Sequence, residues 1–254
     1  MKFVWLLGII IFLITAQVQA VQLSGVTDFS ARASLAFSES GMIQQIEAKP
    51  GDRVEKNESL ASLNPLIFRN SLLKFRAVSN TLKPLLEQKS SELDKANELF
   101  DRDALARVEL EVAEQQYTIA KANLDAALAD VQIAEYRLSQ SELRAPFAGL
   151  VTRVDAVVGE YYDRESHHRT LIEVVNNQQM VATAFINSDL WHSDLNNRFA
   201  KVKYRGSEYS GAVVYVSDER KEQNGAVPAF ELKVLFTANG DIPANMPVTI
   251  DIQE

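Results

Sequence analysis

Apolar positions change period twice along the chain. Between Pro65 and Pro146 they recur every three or four residues, and on either side they fall into short alternating runs. The first half of the middle stretch carries a 4-3 series: Phe68, Leu72, Phe75, Ser79, Leu82, Leu86, Lys89, Leu93, Ala96 and Phe100. The second half carries another: Val108, Val112, Gln115, Ile119, Ala122, Ala126, Ala129, Ile133, Tyr136, Gln140 and Leu143. Heptads sustained this long predict coiled-coil helices, and about 35 residues at 1.5 Å rise reach roughly 50 Å. The stretch has no Gly and is rich in Ala, Leu, Glu, Lys and Gln, all good helix formers. Phe100 to Leu105 interrupts both series and offers Asp101 and Asp103 as caps for a returning helix, so the two arms should lie antiparallel. Ala122, Ala126 and Ala129 would let the backbones approach, while Phe68, Phe75 and Tyr136 widen the base. Pro84 predicts a kink or break near Thr81 to Pro84. The outer faces are charged (Glu87, Lys95, Glu98, Glu109, Glu114, Lys121, Asp125) and no third long helix exists to cover them.

The flanking regions contain a repeat. Gly41, Ile43, Ile46, Gly51 and Val54 recur as Gly149, Val151, Val154, Gly159 and Tyr162, at identical offsets of 2, 5, 10 and 13. Each unit reads as a strand, a turn at the second Gly, and a second strand ending near Leu60 to Leu63 or Leu171 to Val174. Gly41, Gly51, Gly149 and Gly159 are its structural turn positions. After Asn177, further strands are expected at Met180 to Ile186, Phe199 to Tyr204, Gly211 to Val216, Phe230 to Phe236 and Val248 to Ile252. A helix start is expected at Asn187 to Leu190.

Residues 1–20 differ from the rest. Lys2, an apolar run from Phe3 to Ile14, and Val18-Gln19-Ala20 read as a secretory signal cleaved after Ala20. The run is shorter than the roughly twenty residues a bilayer core requires. An uncleaved segment would instead hold the chain at the inner membrane. The chain lacks Cys, which excludes disulfides, thiol catalysis and a lipoprotein anchor. A net charge of −8 without a basic stripe argues against nucleic acid.

Two half-repeats split by a helical pair resemble a biotinyl/lipoyl domain interrupted by a coiled coil, the organisation of the HlyD-type membrane fusion proteins. Leu35 to Gly41 and Leu143-Arg144-Ala145-Pro146-Phe147-Ala148-Gly149 resemble the family's junctions, and Ile242 to Val248 its barrel ending, with Asn245 where Gly is usual. The resemblance implies an α+β fold. A long antiparallel coiled-coil hairpin (65–143) is inserted in a split biotinyl/lipoyl-like β-domain (21–64 and 144–176), followed by a small β-barrel domain (177–254). It also implies a periplasmic adaptor for small-molecule efflux. Its partners would be an inner-membrane transporter, RND-type favoured, an outer-membrane channel, and further copies of itself. Family members carry Arg-x3-Leu-x6-Ser at the hairpin tip; here Lys95, Leu99 and Ala106 stand at those positions. Lys95, Leu99, Phe100, Arg102, Leu105 and Ala106 are accordingly the expected partner-binding tip.

Little else in the sequence suggests chemistry. No nucleophile–base–acid set or Gly-rich phosphate loop is evident, so no enzyme activity, cofactor or metal is expected. His167 and His168, near Asp163 and Glu165, form an exposed polar insertion that could hold a metal only weakly. Lys49 and Lys56 lie in turns as solvated charges, without the Met-Lys-Met context of a modified carrier lysine. A periplasmic coiled-coil scaffold without a transport role and a carrier-type module remain alternative readings.

Overall fold

The computed structural model describes residues 21–165, 169–221, 228–240 and 242–252. The proposed signal, His167 and His168 lie outside them. Two compact units emerge. One holds the described residues of 1–31 and 176–254, the other residues 32–175.

Along the chain the strands are β1 (Val21–Phe29), β2 (Arg32–Leu35), β3 (Gly41–Ile46), β4 (Arg53–Val54) and β5 (Ser59–Leu63). Helices α1 (Leu66–Asp101) and α2 (Arg107–Ser139) follow. Then come β6 (Glu142–Arg144), β7 (Gly149–Val154), β8 (Tyr161–Tyr162), β9 (Ile172–Val175), β10 (Gln179–Ile186), β11 (Phe199–Tyr204), β12 (Ser207–Lys221), β13 (Ala229–Thr237) and β14 (Pro247–Ile252).

The first unit is a closed barrel in the order β1-β10-β13-β12-β11-β14. Inward alternation along each strand, such as Met180, Ala182, Ala184 and Ile186 in β10, fills its core. Closure needs a sixth strand, and β1 supplies it by pairing with both β10 and β14. Residues 21–31 therefore belong with the barrel rather than with the first half-repeat, where the sequence reading grouped them. Asn245 takes a positive φ of 61°, so the turn before β14 survives without Gly. Its N–H donates to the Thr27 carbonyl, while the buried Thr27 hydroxyl donates to Pro243 and accepts from the Met246 N–H. The helix expected at Asn187 is instead a turn closed by the Leu190 N–H on the Asn187 carbonyl. A single 3-10 turn follows at Ser193–Leu195.

In the second unit two four-stranded sheets, β2-β9-β7-β4 and β6-β5-β3-β8, share one core. Each half-repeat gives strands to both sheets. Its second strand is broken in two, and the short first piece crosses over: β4 pairs with β7, and β8 with β3. The hydrogen bonds are reciprocal. Gly51 N–H donates to Val151 and Gly159 N–H to Ile43; Val151 N–H returns to Asp52 and Ile43 N–H to Glu160. The repeat offsets of Gly to Val or Tyr are thus cross-strand partners between halves: Gly41 faces Tyr162 and Gly149 faces Val54.

The two helices run antiparallel, with Arg76 against Glu135 and Lys89 against Gln116. On α1 the inward positions follow the expected series as far as Ala96, with Leu72 and Ser79 buried, while Phe100 at its end is exposed. On α2 they do not. The seam is Leu110, Ala113, Tyr117, Ala120, Leu124, Ala127, Val131, Ala134 and Leu138, the residues of α2 that are buried or half-buried. The expected series points away: Val108 is 68% exposed, Val112 46%, Ile119 52%, Ile133 51% and Tyr136 62%. Ala113, Ala120, Ala127 and Ala134, every second seam position, bring the backbones together; Ala122, Ala126 and Ala129 do not. The break expected at Pro84 is also absent. Pro84 and Asn80, whose carbonyl loses its donor, are both exposed, so that carbonyl is open to water and is not left buried without a partner.

Candidate functional site

The tip of the helix pair forms because α1 has a definite stop. Asp103 adopts a left-handed φ of 57°. Its N–H donates to the Phe100 carbonyl at 2.9 Å and the Ala104 N–H to Leu99 at 2.8 Å. This is the Schellman pattern, with Asp in the place Gly usually takes. Neither Asp101 nor Asp103 caps α2, because Asp103 is occupied in ending α1. The N-cap is Ala106, extended at φ −72° and ψ 145°. Its own N–H is taken by the Glu109 carboxylate at 3.2 Å, which is half of a capping box.

That turn gathers Leu99, Phe100, Arg102, Leu105 and Ala106, with Lys95 one helical turn earlier. Leu99 is 44% exposed and Phe100 36%; Arg102, Ala106 and Lys95 are exposed and Leu105 is half-buried. Two exposed apolar side chains thus share this end of the helix pair with two cations. Val108, in the first turn of α2, adds a third apolar group that the sequence reading assigned to the seam. Lower on α1, Lys89 reaches out of the seam to Glu92 at 2.7 Å and Gln116 at 2.8 Å. The hydrogen bond from Lys89 holds the Glu92 carboxyl below its ordinary range.

The four repeat glycines serve the base. Gly51 and Gly159 turn at φ 96° and 86° with open space around them. Gly149 is a close approach: a Cβ there would lie 2.2 Å from the Val175 carbonyl oxygen. Gly41 packs beside Leu63. The polar insertion is tied back by Ser40, whose hydroxyl accepts from the Arg164 N–H at 3.0 Å. A cleft of about 500 Å³ there is lined by Arg164, Glu165, Arg169 and neighbours. Arg169, however, is engaged by both oxygens of Glu160. Among the described residues no group of three or more His, Asp or Glu could hold a metal ion, and no helix is long and apolar enough to cross a membrane.

No family model matches the chain. Over 132 residues it is 26% identical to the uncharacterized protein YdhJ of Escherichia coli K12, covering 52% of this chain and 46% of that protein. The chain thus spans about half the length of that relative. It is 20% identical to the macrolide export protein MacA of Escherichia coli O157:H7, over 92% of this chain and 68% of MacA. Among solved structures it is similar to the membrane fusion protein Spr0693 of Streptococcus pneumoniae R6, with a TM-score of 0.69 and 13% identity. That match covers 92% of this chain and 99% of that one. A long helix pair set between the two halves of paired sheets, with a six-stranded barrel built from β1 and the last five strands, defines a class, and the chain has the fold of a membrane fusion protein. The split repeat resembles that of the HlyD-type membrane fusion proteins, and the fold found is the one that resemblance implies.

Proposed function

We propose that the chain is a periplasmic adaptor that links an inner-membrane transporter to an outer-membrane channel for small-molecule efflux. The observation that carries this reading is an exposed apolar and basic tip at the end of helices roughly 50 Å long, on a fold shared with membrane fusion proteins. MacA, named for macrolide export, aligns with 92% of the chain, which supports export as the activity. In this reading the helix pair is a coiled-coil hairpin and the paired sheets are a lipoyl-like domain, with the hairpin standing where a carrier domain places its modified lysine. That replacement weighs against the carrier alternative. The protein would work in the periplasm after removal of residues 1–20, with an RND-type transporter as the favoured partner.

The tip carries the test. Replacing Leu99 and Phe100 together with Asp should abolish export while far-UV circular dichroism stays unchanged, since both side chains already meet solvent. Export at the parental level in that variant would reject the tip as the docking surface. A scaffold without transport role predicts instead that deleting the chain leaves drug and metal susceptibility untouched.

A further inference from the structure

Strand β1 begins at Val21, the residue that directly follows the leader read from the sequence. No spacer therefore separates the scissile Ala20–Val21 bond from the barrel. Val21 pairs with Ile252, Gln22 with Asp251 and Leu23 with Ile250, all on β14. From Gly25 onward the other edge of β1 is taken by β10. Val21 is half-buried and lines the barrel mouth with Ile186, Leu195 and Ile252, and Leu23 beneath it is buried. An endopeptidase takes its substrate as an extended strand, over several residues on both sides of the bond it cuts. In the closed barrel the residues after that bond are already committed to β14. Cutting there requires β1 to detach first.

Chain order leaves β1 unpaired for a time. Its two partners, β10 (Gln179–Ile186) and β14 (Pro247–Ile252), come far later in the sequence. The strand that follows it, β2, pairs with β9 in the other unit. During N-to-C export β1 thus emerges early and waits for a partner at the opposite end of the chain, a contact of the slow, non-local kind.

We infer that closure of the barrel ends the interval in which residues 1–20 can be removed. While the barrel is open, a signal peptidase hydrolyses the Ala20–Val21 peptide bond with one water, leaving a carboxylate on Ala20 and a new α-ammonium on Val21. Once β14 has docked, the same bond is protected. The apolar segment then stays attached and holds that copy at the inner membrane. A race between cleavage and folding sets the fate of the N-terminus. The inference rests on the reading of residues 1–20 as a leader and is independent of the export role.

The test uses the purified full chain, residues 1–254, folded in detergent and exposed to a purified signal peptidase, with mass spectrometry locating the cut. The parent should be cut after Ala20 about tenfold more slowly, or less, than a Val248→Asp/Ile250→Asp variant. Both of those residues are buried on β14, so the variant opens the barrel while the helical circular dichroism remains. A second variant keeps the barrel closed: a flexible Gly-Ser spacer between Ala20 and Val21 moves the bond away from β1. It should be cut as fast as the opened form. A parent cut as fast as the spacer form would overturn the inference, and so would a spacer form as resistant as the parent. If none of the three is cut after Ala20, the leader reading itself fails and the inference falls with it, an outcome distinct from the other two.

Discussion

Two residues at the tip and one in the barrel show how single positions carry testable weight. Ala106 caps α2 without a side-chain acceptor, although Glu109 already supplies the other half of the box. Ala106→Ser, which restores the family's residue at that position, should complete the box and raise the thermal stability of the helix pair by about 1 kcal/mol. The position is therefore structural before it is a docking contact, and a loss of export in Ala106→Ser with higher stability would separate the two roles. In the barrel, Glu231 is nearly buried and is held by Lys221, by Lys233 at 3.1 Å and by the Ser217 hydroxyl, which accepts from its N–H. The hydrogen bond from Lys221 draws the Glu231 carboxyl below its ordinary range. A depressed carboxyl contributes stability above its unfolded pKa and loses that contribution as pH falls through the folded value. Glu231→Gln should thus be less stable than the parent at neutral pH. The gap should close as pH drops below about 4, as read by thermal unfolding across pH; a constant gap would contradict the ion-pair account.

At the level of elements, α1 was legible in the sequence and α2 only in part, for a physical reason. On α1 large side chains (Phe68, Leu72, Phe75, Leu86, Leu93) mark one stripe, and the remaining faces are mostly polar, so periodicity selects the seam. On α2 two stripes share the same period, and the true seam is half Ala. The outer stripe, with Val112, Ile119 and Ile133, is the more hydrophobic to the eye. Periodicity gives the existence of a helix and its faces, but not which of two apolar faces meets a given neighbour. The tip was legible as an interruption of both series. Its caps were not, because Ala106 gives no side-chain signal and Asp103 serves a helix C-terminus, where Gly is the usual marker. The seam assignment predicts a contrast. Leu124→Ala should lower stability by about 2–3 kcal/mol, as for a buried leucine, whereas Ile119→Ala should stay within about 0.5 kcal/mol. Equal losses in chemical denaturation would return the seam to the outer series.

At the scale of the whole molecule, the reciprocal bonds between half-repeats explain how one chain tolerates two helices of 36 and 33 residues between strands that pair. β5 and β6 are hydrogen-bonded neighbours, with Ser62 opposite Glu142 and the Leu63 N–H donating to the Ser141 carbonyl at 2.8 Å. The helices therefore leave and re-enter the sheet at adjacent points, as an insertion at a hairpin turn would. Phe68 is the helical residue that packs against the sheet core; the other contributors to that core lie on strands and their connections. The sheets should consequently fold without the helices. Replacing residues 64–140 with Asn-Gly, a pair suited to a two-residue turn between twisted antiparallel strands, should leave a protein with cooperative thermal unfolding and β-type circular dichroism. Its helical signal would be lost, and with it export, because the tip is gone. If the shortened chain instead unfolded without cooperativity, the helix pair would be holding the two halves together. The division of labour between a self-sufficient β base and a helical extension for partners would then be wrong.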